Sequence, residues 1–134
     1  MNGMLNPGIE YEEKRVVSER DAITFLGDGV EPSLSTPSMI NWMEFAARDG
    51  VKPHLEPGQD TVGTRVDVEH IAATPLGAEV TYRSKLVAVD GRKLTFEVEA
   101  ADAKEVVGRG RHERYVIDVE RFAAGLRKRF AERD

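Results

Sequence analysis

The chain contains no cysteine. Disulfide bridges, thiolate metal sites and a cysteine nucleophile are therefore excluded. It has no apolar run approaching the ~20 residues that a membrane-spanning helix needs. Its opening stretch, MNGMLNPGIE, shows neither a basic start nor an apolar segment, so no signal peptide is expected. Positive charge is in deficit: 19 Lys and Arg stand against 24 Asp and Glu, for a formal net charge of −5 and a pI near 5.3. Such a balance argues against nucleic acid as a partner. Histidine is scarce, and no His-x-His or Glu-x-x-His pairing occurs, so no metal site is expected. Gly27-Asp28-Gly29 lacks the third glycine and the preceding strand of a phosphate-binding loop. What remains is a single domain, residues 1–134, long enough to bury a core and expected to be soluble and cytoplasmic.

The stretch that organises the rest is LSTPSMINWMEFAARDG, Leu34 to Gly50. Thr36 is a suitable N-cap, Pro37 fits the first helical position, and Gly50 suits a left-handed end. Met39, Ile40, Met43, Ala46 and Ala47 recur at helical spacing and form an apolar stripe. Glu44 sits at the margin of that stripe, as a surface glutamate or as a carboxylate set there for chemistry.

Around this helix the pattern is mostly period two. Residues 1–8 read as a loose arm and 9–17 as a strand. Ser18 and Asp21 have the spacing of a capping box, opening a short helix through Ala22, Ile23 and Phe25. After a proline-containing loop at 52–60, the alternation in 61–71 puts Val62, Thr64, Val66, Val68 and His70 on one face and Gly63, Arg65, Asp67 and Glu69 on the other. In 78–89 the inner set is Ala78, Val80, Tyr82, Leu86 and Ala88. Asp90-Gly91 signals a hairpin, and the returning strand buries Leu94, Phe96, Val98 and Ala100. The last strand, about 105–117, lines up Val106, Gly108, Gly110, His112, Arg114 and Val116, with glycines that allow close approach. Val119, Phe122, Ala123, Leu126 and Phe130 mark an amphipathic C-terminal helix. An antiparallel sheet with one face to bury, beside one strongly apolar helix, predicts an α+β fold in which the sheet wraps around that helix.

Three residues stand out chemically. His70 closes the apolar face of its strand, as a structural imidazole or a catalytic one. Thr36 is first a cap and second a reactive hydroxyl. Arg114, on the glycine face, needs a carboxylate partner or an anionic ligand.

The pieces STPSMINWMEFAA, HLEPGQDTVGT, VEHIAATPLG, VDGRKLTFEVEA and GRGRHERYVIDVERF resemble the fluoroacetyl-CoA thioesterase group of the hotdog-fold thioesterases. The sharpest matches are the spacing of eight residues from Thr36 to Glu44, that of 26 from Glu44 to His70, and the HIAATPLG and GRHERYVI stretches. The resemblance implies a hotdog fold, a homodimer with sites at its interface, and hydrolysis of an acyl-CoA thioester, with CoA entering only as part of the substrate and no cofactor. It places catalytic roles on Thr36, Glu44 and His70 and supporting, substrate-binding roles on Gly63 and Arg114. Between Phe25 and Thr36 there is no further aromatic residue, so it carries over thioester hydrolysis and not the fluoroacetyl specificity.

The chemistry of the reaction agrees. Hydrolysis needs a base or nucleophile and donors for the oxyanion, for which Glu44 and the N–H groups following Thr36 are the natural candidates. Eight helical residues advance ~12 Å, too far to share one carbonyl if the helix already begins at Thr36, so either Thr36 lies on a loop that folds back toward Glu44 or the two come from different subunits. A module that binds an acyl-CoA or another apolar ligand without turnover is the alternative reading, and a hotdog dehydratase the third, against which stands the lack of any histidine in the central helix.

Overall fold

The computed structural model describes residues 5–131. Five strands form one antiparallel sheet in the order β1-β5-β6-β7-β4: β1 (Glu10–Val16), β4 (Gln59–His70), β5 (Glu79–Asp90), β6 (Lys93–Ala101) and β7 (Val106–Asp118). The sheet curls around helix α1 (Thr36–Val51), and helix α2 (Val119–Ala131) continues directly from β7. Two short strands, β2 (Ala22–Ile23) and β3 (Ser33–Leu34), pair ahead of α1. This is the expected sheet around a central helix. Met39, Met43, Ala46 and Ala47 of α1 are buried against Val80, Tyr82, Leu86, Leu94, Phe96 and Val98 of the sheet.

Three local expectations change. Residues 5–8 do not form a loose arm: Leu5 packs on the core, and the Gly8 N–H bonds the Leu86 carbonyl at 2.7 Å. The first four residues of that expected arm lie outside the described residues. The capping box at Ser18 is present, with the Ser18 N–H and hydroxyl both donating to Asp21 Oδ2 at 3.1 and 2.9 Å. It opens a single 3-10 turn, Glu19–Asp21, and not a helix through Phe25. Asp21 is the cause, because its other oxygen accepts from Trp42 Nε1 at 3.2 Å and its carbonyl accepts from the Ser35 N–H at 2.7 Å. Tied to the residue before α1 and to the second turn of that helix, the chain leaves in the extended conformation that becomes β2. Gly50 is not a left-handed end, since the helix runs through it to Val51.

The outward face of the sheet explains the high charge content. The register aligns Glu12, Arg83, Glu99, Arg109 and Glu69 in one row across all five strands, and Glu10, Lys85, Glu97, Arg111 and Asp67 in the next. Signs alternate along each row, with ion pairs such as Arg83–Glu12 at 3.2 Å and Arg83–Glu99 at 3.1 Å. Opposite charges on directly facing strands favour this register over a slipped one.

Gly50 answers to packing. A Cβ there would lie 2.6 Å from Tyr11 Cβ, where β1 crosses the helix. Alanine is the better helix former by ~1 kcal/mol, but overpacking typically costs ~1–3 kcal/mol. Gly50→Ala is therefore expected to lower stability by about 1 kcal/mol net, read as a lower urea midpoint at unchanged slope. A raised midpoint would mean that β1 gives way without cost.

Candidate active site

The N-cap of α1 is Ser35, not Thr36: Ser35 Oγ accepts the Ser38 N–H at 3.2 Å. Thr36 thus becomes the first helical residue, with a hydroxyl free for other use. It meets His70 Nδ1 at 2.9 Å. His70 closes β4 and faces the helix, as its alternation required, and its Nε2 is enclosed without a hydrogen-bond partner among the described residues. Burial holds this imidazole below its usual range, with the Ala72 backbone pulling the other way. The ring is therefore neutral at pH 7, and a neutral imidazole can accept the Thr36 proton when its own proton sits on Nε2. The N–H groups after Thr36 do not serve an oxyanion. Pro37 has none, the Ser38 N–H is taken by Ser35 Oγ, and the Met39 N–H by the Ser35 carbonyl at 3.0 Å.

An apolar cavity of about 590 Å³ opens beside the Thr36–His70 pair, walled by Ile23, Phe25, Leu34, Pro37, Ile71 and Ala72. A larger groove of about 830 Å³ lies on the outward face among the charge rows, and neither Thr36, His70 nor Glu44 lines it.

Glu44 is elsewhere, two helical turns along α1. Its Oε2 lies 3.3 Å from Arg114 Nη1 and 3.8 Å from His112 Nε2. Arg114 is 6 % exposed and its guanidinium is used by the protein: Nε donates to Thr61 Oγ1 at 2.7 Å, and Nη2 to the Thr61 carbonyl at 2.8 Å. Burial draws Arg114 down from its very high ordinary pKa, and Glu44 pushes back. Gly63 lies opposite Arg114 across the β4–β7 ladder, and a Cβ on it would run into Glu44 Oε2. Arg114 and Gly63 accordingly shape the seat of the carboxylate.

Breaks in the strand alternation explain several misplacements. The alternation puts Gly63 on the face opposite His70, yet both face α1. A bulge between Gly63 and Arg65 shifts the register, so that Thr61 and Gly63 point inward before it and Val66, Val68 and His70 after it. Val62 and Thr64 are not on the inner face. A second irregularity between Leu86 and Ala88 turns Ala88 outward and Val89 inward. His112 and Thr61 were missed as members of the Glu44 cluster. The available signal was His112 two residues before Arg114 on the same face of β7.

Among the described residues, no group of three His, Asp or Glu side chains converges to hold a metal ion, and no helix is long and apolar enough to cross a membrane.

Comparison with known proteins bears on this geometry. The family model described as "Fluoroacetyl-CoA-specific thioesterase" matches residues 17–120. A fluoroacetyl-CoA thioesterase of Streptantibioticus cattleyicolor is 42% identical over 95 residues, covering 71% of this chain and 68% of that protein. A solved fluoroacetyl-CoA thioesterase structure superposes with a TM-score of 0.84 at 33% identity, over 92% of this chain and 96% of that one. A hot-dog-like protein from Thermanaerovibrio acidaminovorans gives a TM-score of 0.86 at 25% identity, over 96% of each chain. The fold is the hotdog fold.

Acid should weaken the fold through the histidines. Burial first, and then Arg114, depresses His112, against the raising effects of the Arg65 backbone bond, Glu44 and Glu113. An unfolded histidine takes up its proton near pH 6.5, whereas His70 and His112 in the fold resist to lower pH. Their stabilisation is therefore complete above about pH 6.5 and is lost below it, at up to ~1.4 kcal/mol per pH unit for each group. Depressed aspartates such as Asp21 add a loss only below about pH 4, so urea midpoints between pH 7 and 5 isolate the histidines. His112→Gln should flatten that slope. A slope equal to the parent's would remove His112 from the account.

Proposed function

The chain belongs to the fluoroacetyl-CoA-specific thioesterase family and is a thioester hydrolase; on that footing we propose that it hydrolyses an acyl-CoA to the free acid and CoA, with Thr36 and His70 of one chain acting together with Glu44 of a second. The observation that carries this reading is the 2.9 Å contact between Thr36 and His70 at the mouth of the apolar cavity. The thioester carbonyl would sit there, its acyl group among Ile23, Leu34 and Ile71, with the hydroxyl and imidazole to bond oxygen and move a proton. Glu44 supplies the basicity, toward water or toward the carbonyl carbon itself.

Glu44 of the same chain is badly placed for this. It is ~12 Å along α1 from Thr36 and engaged with Arg114, while its side chain remains 37 % exposed. A carboxylate held from behind and open in front suits a site completed from outside the chain. Strand β4 carries Gly63 and His70 and is an edge of the sheet. Edges of this kind are satisfied by pairing with another chain, and a two-fold pairing along β4 would create two equivalent composite sites.

Mixing inactive variants tests this. Glu44→Gln keeps shape and loses basicity, so turnover should fall at least 100-fold in a folded protein, as for removal of a group acting in the transition state. Co-refolding Glu44→Gln with Thr36→Ala should restore up to about half the native activity per dimer, because one of its two sites becomes intact. Thr36→Ala mixed with His70→Ala should restore nothing, since those two side chains come from one chain. Near-native turnover by folded Glu44→Gln would falsify the role of Glu44, and an active monomer would sink the composite site.

A further inference from the structure

We propose that His112 is a positioning residue for the Glu44 carboxylate, acting through Arg114. The inference rests on the reading that Glu44 takes part in turnover. His112 is 1 % exposed, on the inner face of β7, with its ring stacked on Phe96 at a centroid distance of 6.1 Å. Its Nδ1 lies 2.8 Å from the Arg65 carbonyl. A carbonyl only accepts, so the proton is on Nδ1, and the neutral ring presents a lone pair at Nε2. That lone pair meets Arg114 Nη1 at 3.2 Å. Nε2 is 3.8 Å from Glu44 Oε2, beyond hydrogen-bond range, so His112 does not hold the carboxylate itself.

The bridging atom is Arg114 Nη1, which faces His112 Nε2 on one side and Glu44 Oε2 at 3.3 Å on the other. The remaining edge of the guanidinium is fixed by Thr61. With three points of attachment the plane of the guanidinium is defined, and so is the direction from which it addresses Glu44. Removing the His112 acceptor leaves one Nη1 proton unpaired in the interior, and the guanidinium turns to find a substitute. The half-exposed carboxylate follows it, since its solvent-facing side is unconfined. A displacement of ~1 Å at a reacting group is enough to cost ~100-fold in rate.

Two amide substitutions separate positioning from plain structural support. Glutamine reaches the location of Nε2 and can accept from Arg114, but abandons the Arg65 carbonyl. Asparagine reaches the location of Nδ1 and keeps the Arg65 bond, but abandons Arg114. Against a short acyl-CoA panel, His112→Asn is expected to lower kcat about 10–100-fold with KM within about 3-fold, and His112→Gln to recover most of that loss. A role confined to bracing β4 predicts the reverse order and overturns the proposal. Thr61→Val loosens Arg114 from its other side without touching His112, and should also lower kcat while sparing KM. An unchanged kcat there would show that Glu44 does not depend on how Arg114 is held, which overturns the proposal even if His112→Asn does not fold. In the Glu44→Gln background, His112→Asn should cause no further loss. A further loss of 10-fold or more would show that His112 acts elsewhere. If Glu44→Gln is fully active, the reading of Glu44 fails; if it is inactive while folded His112→Asn is not, only the present inference fails.

Discussion

Everything in the two clusters depends on one extra residue in β4. Gly63 and His70 are seven positions apart, an odd number, and on a regular strand they would point to opposite faces. The bulge at Thr64 cancels that parity. Thr64 Oγ1 donates to the Glu113 carbonyl at 3.2 Å, and the Arg65 carbonyl accepts from His112 at 2.8 Å, so both exposed corners of the bulge are tied to β7. Without it, either Gly63 would turn away and deny Glu44 its seat, or His70 would turn away and leave Thr36 unpartnered. One strand thereby serves both clusters, and the same imidazole that braces the bulge also faces Arg114.

Helix α1 sets the distance between the clusters. Ser35 takes the capping duty, which frees the Thr36 hydroxyl for His70. Glu44 follows two turns later, where β7 presents Arg114 and His112. A straight helix cannot fold these positions together. The proposal of two chains per site follows from rigidity rather than from any contact: two functional groups fixed on one rod act on one carbonyl only if a second rod brings the missing one.

The elements whose burial follows period were legible from the sequence alone. The stripe of Met39, Met43, Ala46 and Ala47 marked α1, and Leu94, Phe96, Val98 and Ala100 marked the inner face of β6, because nothing interrupts either pattern. The errors fall where a long-range partner overrides a local preference. Ser35 and Thr36 are nearly equal as caps, and the choice is made by His70, 34 residues downstream. Gly50 reads as a helix end, yet is selected by Tyr11 crossing from β1. The Ser18 capping box reads as a helix start, yet Trp42 and Ser35 pin Asp21 and stop it after one turn. Bulges in β4 and β5 are invisible to an alternation, which supplies parity but not the point where parity changes. For the site, the spacing of Thr36, Glu44 and His70 and the family resemblance pointed to residues that the fold places in two clusters, not one.

Arg114 shows why the Glu44 seat is hard to alter piecemeal. A guanidinium that is 6 % exposed has lost most of its hydration, and it is tolerated because Thr61, His112 and Glu44 together meet its donors. Taking away one partner of a buried charge typically costs ~3–5 kcal/mol, more than the pair contributes over an apolar replacement. Truncating Arg114 would leave the Thr61 hydroxyl and the His112 lone pair unsatisfied, so lost activity would not distinguish lost chemistry from a collapsed seat. Glu44→Gln is the gentler change, since its amide oxygen can still accept from Nη1 while the charge disappears. The arginine then keeps only the weaker influence of Asp60 and Asp49. Orientation and stability at this point are one interaction, and a variant there is informative only when its unfolding midpoint is measured beside its rate.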